Sequence, residues 1–191
     1  MKNFLLIVAL ATFSFASAQK GTILVGGSVG FKSEKTTFGN AESKINSVDF
    51  SPKVGYQFHD SWTAGIETSF GSSKDEQGNT EEKINTTKVG AFLRYTVPFS
   101  ESFAFFTELG VGYQGQKLTE TTGPISAEQK ANGMYVGITP ALFINMSKGF
   151  GLNFNIGGLG YNTLNVDNGP ETKTFDFNLG KAFNVGISKN F

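Results

Sequence analysis

The stretch Thr174–Phe191, TFDFNLGKAFNVGISKNF, alternates from one end to the other. Phe175, Phe177, Leu179, Phe183, Val185, Ile187 and Phe191 take every second place or nearly so, and Asp176, Asn178, Gly180, Ala182, Asn184, Gly186, Ser188 and Asn190 lie between them. Residues two apart share one face of a β-strand, whereas a helix would scatter them around its axis. The same period runs through Val48, Phe50, Val54, Tyr56 and Phe58, then through Trp62, Ala64, Ile66 and Phe70. It returns at Val89 to Phe99, at Phe103 to Tyr113, at Met134 to Met146 and at Phe150 to Ile156. Ile23, Val25, Val29 and Phe31 make a glycine-rich first strand, so eight strands are expected.

The connections alternate in length. Short turns fall at His59-Asp60-Ser61, Ser100-Glu101-Ser102 and Ser147-Lys148-Gly149. Polar stretches over Lys32–Lys44, Ser72–Lys83, Lys117–Lys130 and Asn162–Lys173 read as long loops. Each step along the chain is thus one hairpin, half of what a propeller blade needs. Short turns at one end and long loops at the other describe an eight-stranded antiparallel up-and-down transmembrane β-barrel.

Face composition separates this from a soluble barrel. A ligand-carrying barrel in water keeps apolar residues inside and charges outside. Here the non-apolar face is Gly, Ser, Asn, Thr and Gln, which suits a narrow lumen, so the apolar face meets lipid. Lys181 and Lys189 are the clear charges on that apolar face, placed where long side chains reach the membrane interfaces. Phe58, Trp62, Phe99, Phe103, Phe150 and Phe191 all stand beside the short turns or the chain end, the expected periplasmic aromatic girdle.

Composition narrows the remaining classes. The 191 residues carry 16 basic and 16 acidic side chains, 24 glycines, 20 phenylalanines, one histidine and no cysteine. The charge balance argues against nucleic-acid partners. Absence of cysteine excludes disulfides, thiolate metal sites and cysteine nucleophiles. Residues 1–18 read as a signal peptide: Lys2, an apolar run from Phe4 to Phe15, and the small-residue cleavage site Ala16-Ser17-Ala18. Residues 19–191 are then one exported barrel domain.

Several motif-like strings carry no chemistry. Gly110-Val111-Gly112-Tyr113-Gln114-Gly115 matches a dinucleotide fingerprint, but no βαβ unit follows it. Asp167-Asn168-Gly169-Pro170-Glu171 lacks the ligand spacing of a calcium loop and reads as a turn. His59 lies at the short-turn end, away from any acid on the loop side, so a histidine-based active site is not expected. Glu81 and Glu82 fall in a solvated polar stretch. No enzyme activity, cofactor or metal is expected.

The whole mature chain resembles the small outer-membrane β-barrel family of Gram-negative bacteria, porin-like barrels of the OmpA and OmpX type. Asn184, Gly186 and Phe191 resemble the C-terminal signal read by the barrel-assembly machinery, with Lys189 at its penultimate apolar place. The resemblance implies a cell outer membrane location, periplasmic chain ends, and outer-membrane lipid, lipopolysaccharide and the assembly machinery as partners. The expected role is structural or surface-interacting, through extracellular loops that meet an unknown ligand. A narrow small-solute channel is the alternative.

Turn arithmetic adds a lumenal site. If Phe58 faces Trp62, positions summing to 120 are opposite and Lys53 faces Glu67; if Phe99 faces Phe103, Arg94 faces Glu108. All four share the inward parity and lie about 13 Å above the girdle, near the middle of the apolar band. The expectation is Lys53, Glu67, Arg94 and Glu108 side by side, a charge-paired plug.

Overall fold

The computed structural model describes residues 21–38, 41–148 and 150–191; the proposed signal peptide lies outside them. The described chain forms β1 (Ile23–Phe38), β2 (Ala41–His59), β3 (Trp62–Gln77), β4 (Thr80–Pro98), β5 (Phe103–Thr122), β6 (Ile125–Ser147), β7 (Phe150–Val166) and β8 (Glu171–Asn190). Each strand pairs antiparallel with the next, and β8 returns to β1 to close a barrel. The closing ladder runs from Leu24↔Asn190 to Ser28↔Gly186. Below it, the Ile23 and Phe191 backbones exchange hydrogen bonds of 3.1 and 2.9 Å.

The faces are inside-out relative to a water-soluble barrel. Val29, Phe31 and Phe177 are 70, 75 and 68% exposed, while Arg94, Glu108, Gln57, Gln114, Asn153 and Ser188 are buried. Exposure of that apolar band is stable only against lipid, because in water it would bury itself against another surface. On β7 the outward set changes parity, from Phe150 to Leu159 and Tyr161. The change follows a break in the β7–β8 register between Asn155 and Gly157, where Gly157 takes φ +106°. A β-carbon there would lie 2.2 Å from the Asn178 carbonyl oxygen, so the bend needs glycine.

The four long loops expected from the polar stretches are instead mostly strand. β3 and β4 stay paired to Gln77↔Thr80 around Gly78-Asn79, and β5 and β6 to Thr122↔Ile125 around Gly123-Pro124. Gly78 and Gly123 have φ of 60° and 58° at the first of two turn residues, the arrangement of a tight hairpin turn. β1–β2 pairing reaches Phe38↔Ala41, and β7–β8 pairing reaches Asn165↔Glu171. Backbone bonds hold a strand whatever its side chains, so a ladder outside the membrane, wet on both faces, shows no apolar period. Polar cross-strand contacts reinforce it: Lys74 reaches Glu81 at 2.9 Å and Lys117 reaches Glu128 at 2.7 Å, while Lys74 also meets Glu76 of its own strand at 2.6 Å.

The first short turn also differs in detail. Gln57 pairs with Thr63, but Trp62 pairs with His59, so Phe58 is the extra residue of a bulge and does not face Trp62. The sum of 120 still holds above the bulge, through Gln57↔Thr63.

Hydrogen bonds from Lys74 and Lys117 hold the Glu76 and Glu128 carboxyls below their ordinary range. A lowered carboxyl pKa adds stability above the unfolded value, which fades as pH falls through the folded one. Since the Lys117–Glu128 pair spans two strands, hydrogen exchange of the refolded barrel should find the amides of Lys117–Thr122 and Ile125–Lys130 protected at neutral pH. Acidification into the carboxylate range should weaken that protection before it affects the girdle end. Free-coil exchange at neutral pH would contradict the ladder.

Candidate functional site in the lumen

Four charged side chains, one each from β2, β3, β4 and β5, meet in the lumen. Lys53 pairs with Glu67 across β2–β3, and Arg94 with Glu108 across β4–β5. The β3–β4 register, however, sets Thr63 against Arg94 and Glu67 against Gly90. Glu67 and Arg94 are thus not neighbours, and the expected side-by-side row is corrected to a chain that crosses the lumen. Arg94 Nε and Nη2 donate to Glu108 Oε2 at 3.0 and 2.8 Å. Glu108 Oε1 accepts from Lys53, whose Nζ also lies 3.5 Å from Glu67 Oε2. The Tyr135 hydroxyl on β6 donates to Glu67 Oε1 at 3.0 Å. Two cations and two anions cancel, and each carboxylate has at least two partners, which offsets the desolvation of buried charge.

Two aromatic rings sit beneath the cations. The Arg94 guanidinium carbon lies 3.9 Å from the Phe106 ring centre, and Lys53 Nζ lies 5.1 Å from that of Phe92. Such contacts are worth about 2 kcal/mol when desolvated, and both rings are only 3% exposed. Neither ring was expected inside. The signal was available, since Phe92 and Phe106 stand on the polar parity of β4 and β5, interrupting the alternation. Tyr135 likewise falls between outward Met134 and Val136.

Glycines admit these large groups. A β-carbon at Gly112 would lie 2.8 Å from the Tyr135 ring, and one at Gly110 equally close to Glu67 Oε1. The GxGxxG string is therefore relief for side chains arriving from other strands. Two lumenal chambers flank the charge chain. One, about 270 Å³, is lined by Lys53, Glu67, Lys88 and Tyr135; the other, about 180 Å³ toward the short turns, by Gln57, Asp60, Thr63 and Phe143. Arg94, Phe106 and Ser188 border both.

The remaining sequence-derived positions are spread over the barrel. Phe58, Trp62, Phe99, Phe103 and Phe150 are exposed at the short-turn end, where Trp62 meets Tyr95 with ring centres 4.8 Å apart. Phe191 lies under Lys189 Nζ at 4.5 Å. Gly186 is buried in the closing ladder; the Asn184 backbone pairs with Asn155, and its side chain lies outside the described residues. His59 is in its turn, where Nδ1 accepts the Ser61 amide at 3.4 Å.

The family described as outer membrane protein beta-barrel domain matches residues 4–183. No curated protein matches the chain by sequence. Among solved structures, the attachment invasion locus protein Ail of Yersinia pestis is similar at TM-score 0.50 and 16% identity, covering 91% of this chain and 100% of that one. OprG of Pseudomonas aeruginosa is similar at 0.49 and 12%, over 91% and 97%. The translocator domain of NalP from Neisseria meningitidis is similar at 0.47 and 15% over 99% of this chain, which spans 64% of that domain.

Replacing Arg94 with Ala leaves Glu108 buried with one cation, and should lower stability by about 3 kcal/mol in a urea titration of the refolded barrel. In the cycle with Glu108→Ala the coupling should reach at least about 1 kcal/mol. Additive losses would mean that the pair contributes nothing.

Proposed function

Because the chain belongs to the outer membrane protein β-barrel domain family and lies in the cell outer membrane, we propose that it is a structural or surface-interacting barrel whose lumen is shut. Residues 1–18 direct export, and the barrel-assembly machinery inserts the rest. The observation that carries this reading is the chain Arg94–Glu108–Lys53–Glu67 with Phe106 beneath it, set between the two chambers. A hydrated ion crossing there would have to break paired, largely buried charges in a low-dielectric interior. The four paired charges cancel, while Lys88 lines the chamber beside them and Asp60 the one toward the short turns. Eight strands leave room for side chains and little more.

The extended hairpins support the surface role. They carry the polar ends of four strand pairs into the extracellular space among lipopolysaccharide, where Lys, Glu, Thr and Ser on both faces meet an unnamed ligand. The runner-up, a narrow solute channel, draws on the two chambers, which would join if Arg94 left Glu108.

Two measurements test this. In planar bilayers the refolded protein should show no steady conductance, and Arg94→Ala/Glu108→Ala should introduce discrete steps; conductance in the unmutated barrel favours the channel. Since the chain lacks cysteine, Asn79→Cys on intact cells should react with an impermeant maleimide while Glu101→Cys does not. The reverse labelling would invert the orientation.

A further inference from the structure

We propose that the outer wall formed by β8, β1 and β2 seats one acyl chain of a phospholipid whose phosphate is held by Lys189. The outward row of β1 lapses at Gly27, between Val25 and Val29. Gly27 pairs with Pro52 on one side and Ile187 on the other. The missing side chain opens a groove of about 710 Å³, walled by Val29, Phe50, Val185 and Ile187 and lined almost wholly by carbon. A β-carbon at Gly27 would lie 2.7 Å from the Ser51 carbonyl oxygen, so the backbone itself keeps the groove open.

Lys189 stands at the foot of the groove. It pairs with Val25 and Phe150, and its amine lies over the Phe191 ring. Among the described residues no carboxylate is paired with it, unlike Lys53 or Lys74. From Phe191 to Val185 the strand rises about 15 Å at a tilt near 40°, half of a hydrocarbon core of about 30 Å. A cation at the interface and a carbon slot one leaflet long match a phospholipid, with its phosphate low and its chain reaching the midplane. A second copy fits less well. Two parallel protomers joined through this wall would bring two Lys189 amines to the same depth, with no acid between them.

The leaflet named here, the inner one, rests on the orientation proposed above, but the binding does not. Delipidated barrel, refolded in detergent and titrated with phosphatidylglycerol, should carry one lipid adduct in native mass spectrometry. Lys189→Leu should lower its apparent affinity about fivefold, the loss of one lysine–phosphate attraction. Val185→Trp or Ile187→Trp, which fill the groove, should lower it comparably, and Lys74→Leu should leave it unchanged. Heat-modifiable gel mobility identifies the variants that have folded. Equal affinity in folded Lys189 and groove variants, or a protein dimer in place of the adduct, overturns the proposal.

Discussion

Eight strands close around very little space, and this narrowness governs the rest of the molecule. At that strand number the interior is just wide enough for side chains to fill. Each inward position must therefore be small or share its volume with a neighbour. Glycines at 110 and 112 give way to Glu67 and the Tyr135 ring, and Phe92 and Phe106 fill the levels beside the charges. Glycines on facing strands make room for the Phe92 and Tyr135 rings inside, while many of the other phenylalanines stand on the outer face.

Crowding also explains how charge survives inside. Lys53, Arg94, Glu67 and Glu108 project from four strands into one cross-section, so none is more than a side chain's length from an opposite charge. The same four groups in a wider barrel would each need water. Here the rings under Arg94 and Lys53 replace solvent on the remaining side.

Much of this was legible along the chain, for a geometric reason. Tight turns fix the sum of opposing positions, which places Arg94 against Glu108 on paper; Lys53 meets Glu67 because the bulge at Phe58 shifts the first turn's register by one residue. The stagger between those two hairpins was not legible, because it is set at the other end. Gly78-Asn79 closes β3 onto β4 and makes positions summing to 157 opposite, which puts Gly90 beside Glu67. Read as loops, Ser72–Lys83 and Lys117–Lys130 supplied no such sums. Polar strands in water lack the alternation that marks strands in lipid, and only their turn glycines betray them. The parity change at Gly157 was hidden likewise, since a bulge leaves no compositional trace beyond one glycine among many.

The paired hairpins bear on how such a surface diversifies. A flexible loop absorbs an insertion of any length, but a ladder has a reading frame. One residue added within Ser72–Gln77 exchanges the two faces for every position between it and the turn, whereas two residues preserve them. The outer part of this barrel is therefore expected to drift in length by even steps, or by whole turns at Gly78 and Gly123. Its surface chemistry is free to change while its frame is not.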